Sequence, residues 1–156
     1  MNKIVCFLTL SLTLMNFALP SLLRAEDEYS YGDYKSATLV AKAWEAFNKN
    51  DMGATFAFTN KCVEMYEAEA KKMQSQLKDF PQGGKDEILS QWWAINDVAT
   101  AYYIQAETYR KSGMNEMAKS TYEKIIKEFS FGQCWDPQGW FWKPSEAAKE
   151  KLAQIK

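Results

Sequence analysis

The chain has 156 residues, 47% of them hydrophobic and 15% aromatic, with a formal net charge of −1 and no histidine. Without imidazole there is no Ser-His or Cys-His nucleophile pair and no zinc site that needs histidine. The near-balanced charge leaves no basic footprint for nucleic acid or anionic lipid, and three cysteines without CxxC spacing are too few for a thiolate-only zinc site. No cofactor, metal or catalytic group is implied.

Residues 1–25 read MNKIVCFLTLSLTLMNFALPSLLRA. Lys3 supplies the charge, Ile4 to Leu19 the apolar run, and Pro20 the break before a small residue. This is the three-part pattern of a secretory signal peptide, with cleavage expected after about Ala25 and a periplasmic or secreted destination. The other reading, a retained membrane anchor, has against it a run that is short and interrupted by Thr9, Ser11, Thr13 and Asn16. Removing Lys3 and Arg24 takes the net charge from −1 to −3, and the segment Glu26–Lys35 carries that excess. Residues 26–32 read as a flexible acidic N-terminus. No second run of membrane-spanning length follows, so no membrane span is expected after cleavage.

From Asp33 the spacing is helical. Ala37, Val40, Trp44 and Phe47 recur at three and four, predicting a first helix to Asn48. Asp51 is a good N-cap for a second helix, whose stripe is Phe56, Thr59, Val63, Tyr66, Ala70, Met73 and Leu77 and which runs to about Lys78. Glu64, Glu67 and Glu69 with Lys61, Lys71 and Lys72 read as its solvated, ion-paired face rather than a catalytic carboxylate pair. The stretch FPQGGK, residues 80–85, is a break; it lacks the features of a phosphate loop. A third helix, capped by Asp86, carries Ile88, Trp92, Ile95, Ala99, Tyr102, Ala106 and Tyr109 and ends at Gly113. A fourth covers about 115–129, and Pro144 opens a fifth with Ala148, Leu152 and Ile155. No alternation of β type has useful length.

Ala106, Tyr109, Gly113, Ala118, Tyr122 and Ile125 stand where a tetratricopeptide repeat places its small residue, aromatic, turn glycine, small residue, aromatic and apolar residue. The stretch Ala106–Phe129 resembles one such repeat. A weaker copy lies in Ala43–Tyr66, with Asn50 at the turn, Thr55 and Cys62 at small positions and Thr59 at the aromatic one. The two turns are 63 positions apart, against about 34 in that family. The resemblance implies an all-α fold: antiparallel helical hairpins stacked as a short tetratricopeptide-like array of about five helices over residues 33–156. A plain helical bundle is the alternative. It also implies a non-enzymatic protein-protein interaction module whose concave side carries Thr100, Tyr103, Glu107 and Arg110, a mixed surface suited to a peptide.

Cys62 and Cys134 remain after cleavage of the leader, and in an oxidising compartment they are expected to form a disulfide. The segment Phe131–Pro144, FGQCWDPQGWFWKP, holds three tryptophans. Trp135, Trp140 and Trp142 could stack on sugar faces, with Asp136 and Gln138 meeting hydroxyls, in a glycan-binding protein. The other expectation is a plug that folds back over the fourth helix and covers its apolar surface, with Trp140 and Trp142 buried and at most one tryptophan exposed. A third reading is self-assembly through unfinished helix faces. The partner is thus a protein or peptide, this chain itself included.

Overall fold

The computed structural model describes residues 29–155. The leader pattern and residues 26–28 lie outside the described residues. Six helices run in the order α1 (Ser36–Asn48), α2 (Met52–Gln76), α3 (Lys85–Gln91), α4 (Trp93–Lys111), α5 (Asn115–Glu128) and α6 (Pro144–Leu152). Between α5 and α6 two short strands, β1 (Cys134–Trp135) and β2 (Phe141–Trp142), pair antiparallel, with Cys134 opposite Trp142 and Trp135 opposite Phe141. The fold is an all-α array of antiparallel hairpins.

The two hairpins close identically. At the end of α1 the Asp51 amide donates to the Ala46 carbonyl at 2.9 Å and the Asn50 amide to Phe47 at 3.0 Å. At the end of α4 the Met114 amide donates to Tyr109 at 2.9 Å and the Gly113 amide to Arg110 at 3.1 Å. Both are Schellman caps, which need a left-handed residue at the turn. Gly113 supplies it with φ 75° and Asn50 with φ 57°; asparagine is among the few L-residues that tolerate this region. The 63-position offset then carries through the packing. Ala43 and Ala106, Thr55 and Ala118, Thr59 and Tyr122, and Cys62 and Ile125 are all 0% exposed. Helix α4 packs against both α1 and α2, and α6 packs against both α5 and α4 in the same manner.

Three elements differ from expectation. The first helix starts at Ser36 rather than Asp33, because Gly32 and Tyr34 both take positive φ just before it. Of the acidic segment before it, Tyr31 is buried and meets Phe58 edge-on at 5.8 Å. In α2 the buried face at its start includes Phe58 beside the expected Thr59, while Phe56 is half-buried and meets Tyr109 at 4.8 Å with planes 42° apart. The third helix is broken at Trp92 (φ −114°, ψ 25°) into α3 and α4, and Gly84, not Asp86, caps α3. Asn96 sits at the break. Its Nδ2 reaches back to the Ile88 carbonyl at 3.5 Å, and its Oδ1 accepts the Gln133 amide at 2.8 Å.

That bond lays the aromatic segment along the first half of α4, not over α5; the surface of α5 is packed by α6. Gln133 Nε2 donates to the Pro81 carbonyl at 2.7 Å, and Gln74 bonds Ser130 Oγ at 3.1 Å and the Phe131 amide at 3.2 Å. Gly132 permits the approach: a Cβ there would lie 3.1 Å from both the Ile95 carbonyl oxygen and Ala99 Cβ. Gly132→Ala should therefore destabilise the protein by about 1–3 kcal/mol, the usual cost of overpacking. A thermal melt unchanged by this substitution would show that the segment does not rest on α4.

Candidate functional site

A cavity of about 690 Å³ opens between α1, the first half of α4 and the aromatic segment. Helix α1 lines it with Ala37, Val40, Ala41 and Trp44, one face at helical spacing. Helix α4 lines it with Asn96, Asp97, Thr100 and Tyr103, and the aromatic segment with Cys134, Trp135, Asp136, Pro137 and Trp142. Its size is that of sites for small ligands or peptide side chains.

Three rings form one corner of the cleft. Trp142 meets Tyr103 at 5.0 Å with planes 80° apart, and Trp44 at 6.4 Å with planes 65° apart; Trp44 and Tyr103 are 6.5 Å apart. The ribbon places Trp142: residues alternate in direction along a strand, and pairing with β1 fixes which side it takes. Burial pushes the Tyr103 hydroxyl up to about 12, with Glu107 adding to it.

Asp97 is the more deeply placed of the two carboxylates that line the cleft, the other being Asp136 of the ribbon turn. Ser36, in the first turn of α1, donates its hydroxyl to Asp97 Oδ2 at 2.5 Å. Among the described residues no basic side chain pairs with it. Burial pushes its carboxyl up to about 6, against a smaller opposing effect of the Ser36 bond. Burying a carboxylate without a counter-charge is costly, and a raised pKa is the usual response.

The residues singled out in the sequence divide into two groups. Tyr103 and Trp142 line the cleft together, with Trp135 on the side of the segment. Trp135 also meets Phe141 edge-on at 5.1 Å and carries Lys85 Nζ 5.5 Å from its ring centre. Glu107 and Arg110 lie a turn or two beyond the cleft and serve the core. Arg110 donates to Glu107 at 3.1 and 2.7 Å, and the buried Tyr122 hydroxyl donates to Glu107 Oε1. Burial opposes ionisation of Glu107, but the bonds from Arg110 and Tyr122 outweigh it and hold its carboxyl below the ordinary value. Trp140, expected to be buried, is 49% exposed at the tip of the ribbon. It follows the Asp136–Gly139 turn, where the Asp136 carbonyl accepts the Gly139 amide at 2.9 Å.

The expected disulfide is absent: Cys62 and Cys134 are free thiols. Cys62 is packed at 0% exposure within α2, at a close-approach position of its hairpin. Cys134 is taken up by α4: its Sγ donates to the Asn96 carbonyl at 3.3 Å and lies 2.9 Å from Thr100 Oγ1. Burial raises both thiols, Cys134 to about 12, so neither is a reactive thiolate. Glu67 does pair with Lys71 at 3.2 Å, within a surface network that adds Lys124 at 2.9 Å.

Sequence reasoning missed Trp44 and Asp97 as site residues. A signal for Asp97 exists: it is the only charged residue between Glu87 and Glu107. Among the described residues no cluster of His, Cys, Asp or Glu could hold a metal ion, and no helix is long and apolar enough to cross a membrane. In comparisons with known proteins, no family model, no curated protein and no solved structure matches this chain.

Two outcomes test this geometry. Trp142→Ala should cost about 2–4 kcal/mol, below or near the range for fully buried aromatics. Trp140→Ala should stay within about 0.5 kcal/mol, as for surface changes. Equal melting temperatures for the two variants would contradict the ribbon's orientation. Asp97 gives a pH signature. Its folded pKa of about 6 lies above the ordinary 3.8, so the fold favours the protonated form. The stability this contributes is full below about 3.8 and is lost as pH rises through about 6. Cys62 and Tyr66 of α2 and Cys134 of β1, which act on or near Asp97, are all raised by burial and stay neutral over this window. Asp97→Asn should thus melt higher than wild type at pH 7.5, by up to about 3 kcal/mol, with the difference vanishing near pH 4. Identical melts at pH 7.5 would mean that the carboxylate is not desolvated.

Proposed function

We propose that this protein is an exported, non-enzymatic interaction module of tetratricopeptide-like type that holds a peptide segment of a partner protein in the cleft between α1, α4 and the aromatic ribbon. The observation that carries the reading is the position of the cleft. It lies across the first helices of two hairpins related by one 63-position offset, and stacked helical repeats present their concave binding surfaces to extended ligands. The ribbon adds a wall of rings to what two hairpins alone would leave shallow. The leader pattern of residues 1–25 supports export. The equivalent caps and the equivalent buried positions support the repeat kinship.

A peptide selection tests it. Random peptides displayed on phage and selected against the purified protein should yield binders that compete with one another for one site. Ala41→Trp fills the mouth of the cleft from an exposed position of α1 and should weaken them at least about tenfold, or about 1.4 kcal/mol. Lys72→Trp, on the exposed side of α2, should leave them unchanged. A selection that returns no binder, or binders indifferent to Ala41→Trp, overturns the reading.

A further inference from the structure

We infer that the cleft takes an organic cation, the ammonium or guanidinium head of a basic side chain on the bound peptide, with Asp97 as its counter-charge and Trp44, Tyr103 and Trp142 as its walls. This rests on the cleft being the peptide site proposed above, and it names what that site selects for.

The charge of the lining argues for it first. The residues around the cavity include two carboxylates, Asp97 and Asp136, and no lysine or arginine. Asp136 is partly committed, since its Oδ1 accepts the Gln138 amide at 2.8 Å within the ribbon turn. Asp97 is held through one oxygen only: its Oδ2 takes the Ser36 hydroxyl, and among the described residues no other side chain bonds or pairs with the carboxylate. The surface elsewhere shows that this chain readily pairs its acids, as in Glu45 with Lys49 at 2.6 Å and Glu116 with Lys119 at 3.0 Å. The carboxylate in the cleft is left without a cation.

The walls point the same way. A cation beside ring faces is drawn by their quadrupoles, and the attraction grows where water is excluded. The three rings stand at 49–80° to one another, so they form a corner rather than a single stacking platform. Such a corner can surround an ammonium or lie along a guanidinium plane. An anionic group would meet Asp97 and Asp136 with nothing to offset them. A neutral apolar group would displace water from the carboxylate and leave it only the Ser36 hydroxyl, with no counter-charge, a costly arrangement. A cation instead offsets the desolvation that burial imposes on Asp97, and it should draw the carboxyl back toward the ionised form.

The test uses side-chain fragments with the full-length protein. Propylguanidinium and n-butylammonium stand for arginine and lysine, and propylurea and n-butanol are their uncharged counterparts. Tryptophan emission should shift saturably with at least one cation at about millimolar concentration, a scale of about −4 kcal/mol, and with neither neutral compound. Which cation binds tighter tells arginine from lysine as the source. Asp97→Asn should weaken the cation at least tenfold, and wild-type binding should weaken from pH 7.5 to pH 5 as Asp97 takes its proton. Equal binding of charged and uncharged probes overturns the inference, as does a cation indifferent to Asp97→Asn. So does an effect of Asp136→Asn where Asp97→Asn has none. The two proposals fail separately. Selected peptides that need the cleft but carry no basic residue would end the cation assignment and keep the peptide reading. Saturable, Asp97-dependent cation binding without any selected peptide would end the peptide reading and leave the cleft a site for small organic cations.

Discussion

Helix α4 is buried from Ala94 to Thr108, with only Asp97 along that length reaching partial exposure. A helix enclosed on all sides must satisfy its own polar side chains from its neighbours, and this requirement organises the molecule. Gln105 bonds Thr59 and Asn60 of α2 at 3.1 and 2.8 Å. Glu107 is shared between Arg110 and Tyr122 of α5. Asn96 bonds the aromatic segment and the end of α3. Asp97 turns to Ser36 of α1. These four residues thus tie α4 to different neighbours, and among the described residues no buried side-chain polar atom lacks a partner. Apolar packing alone would hold these elements together; the bonds determine which face of each meets α4.

The cleft is a by-product of that arrangement. Asn96 and Gly132 bring the segment down onto α4, while Cys134 settles against Thr100. The ribbon then turns at Asp136–Gly139 and returns with Trp142 facing Tyr103 and Trp44. Positioning is therefore done by buried polar groups: of the three rings at the corner of the cleft, Trp44 and Tyr103 stand on α1 and α4, and Trp142 is carried by a short two-stranded turn.

Much of the scaffold was legible in the sequence because it rests on local rules. Gly113 and the run after it identified one hairpin, and the match of Asn50, Thr55 and Cys62 identified the other. Periodicity located every long helix. It did not show the break at Trp92, because the side chain at the break, Asn96, acts through a partner 37 positions away. It also did not show which tryptophan of the segment is exposed, since this depends on the ribbon register. The disulfide was inferred from the count of leftover cysteines, a rule blind to where each thiol is held: Cys62 is buried within α2, and Cys134 is bonded to Asn96 and Thr100 of α4. Of the cleft, Thr100, Tyr103, Trp135, Asp136 and Trp142 were nominated, though as parts of two separate sites. Asp97 was passed over although it stands alone in a long uncharged stretch, where the expense of burying it is most visible.

The bonds that build the cleft join distant parts of the chain. Ser36 and Asp97 are 61 positions apart, Gln133 and Pro81 52, and Gln74 and Ser130 56. The hairpins, by contrast, close through contacts between adjacent helices. Loop-closure entropy makes the local units early to form and the distant ones late. The order of assembly is then hairpin, stack, ribbon, and the order of loss is the reverse. The ribbon is a unit that can lift from α4 while both hairpins stay folded. The mouth of the cleft is then not fixed: it widens whenever the ribbon lifts, and how often this happens would set how long any occupant stayed.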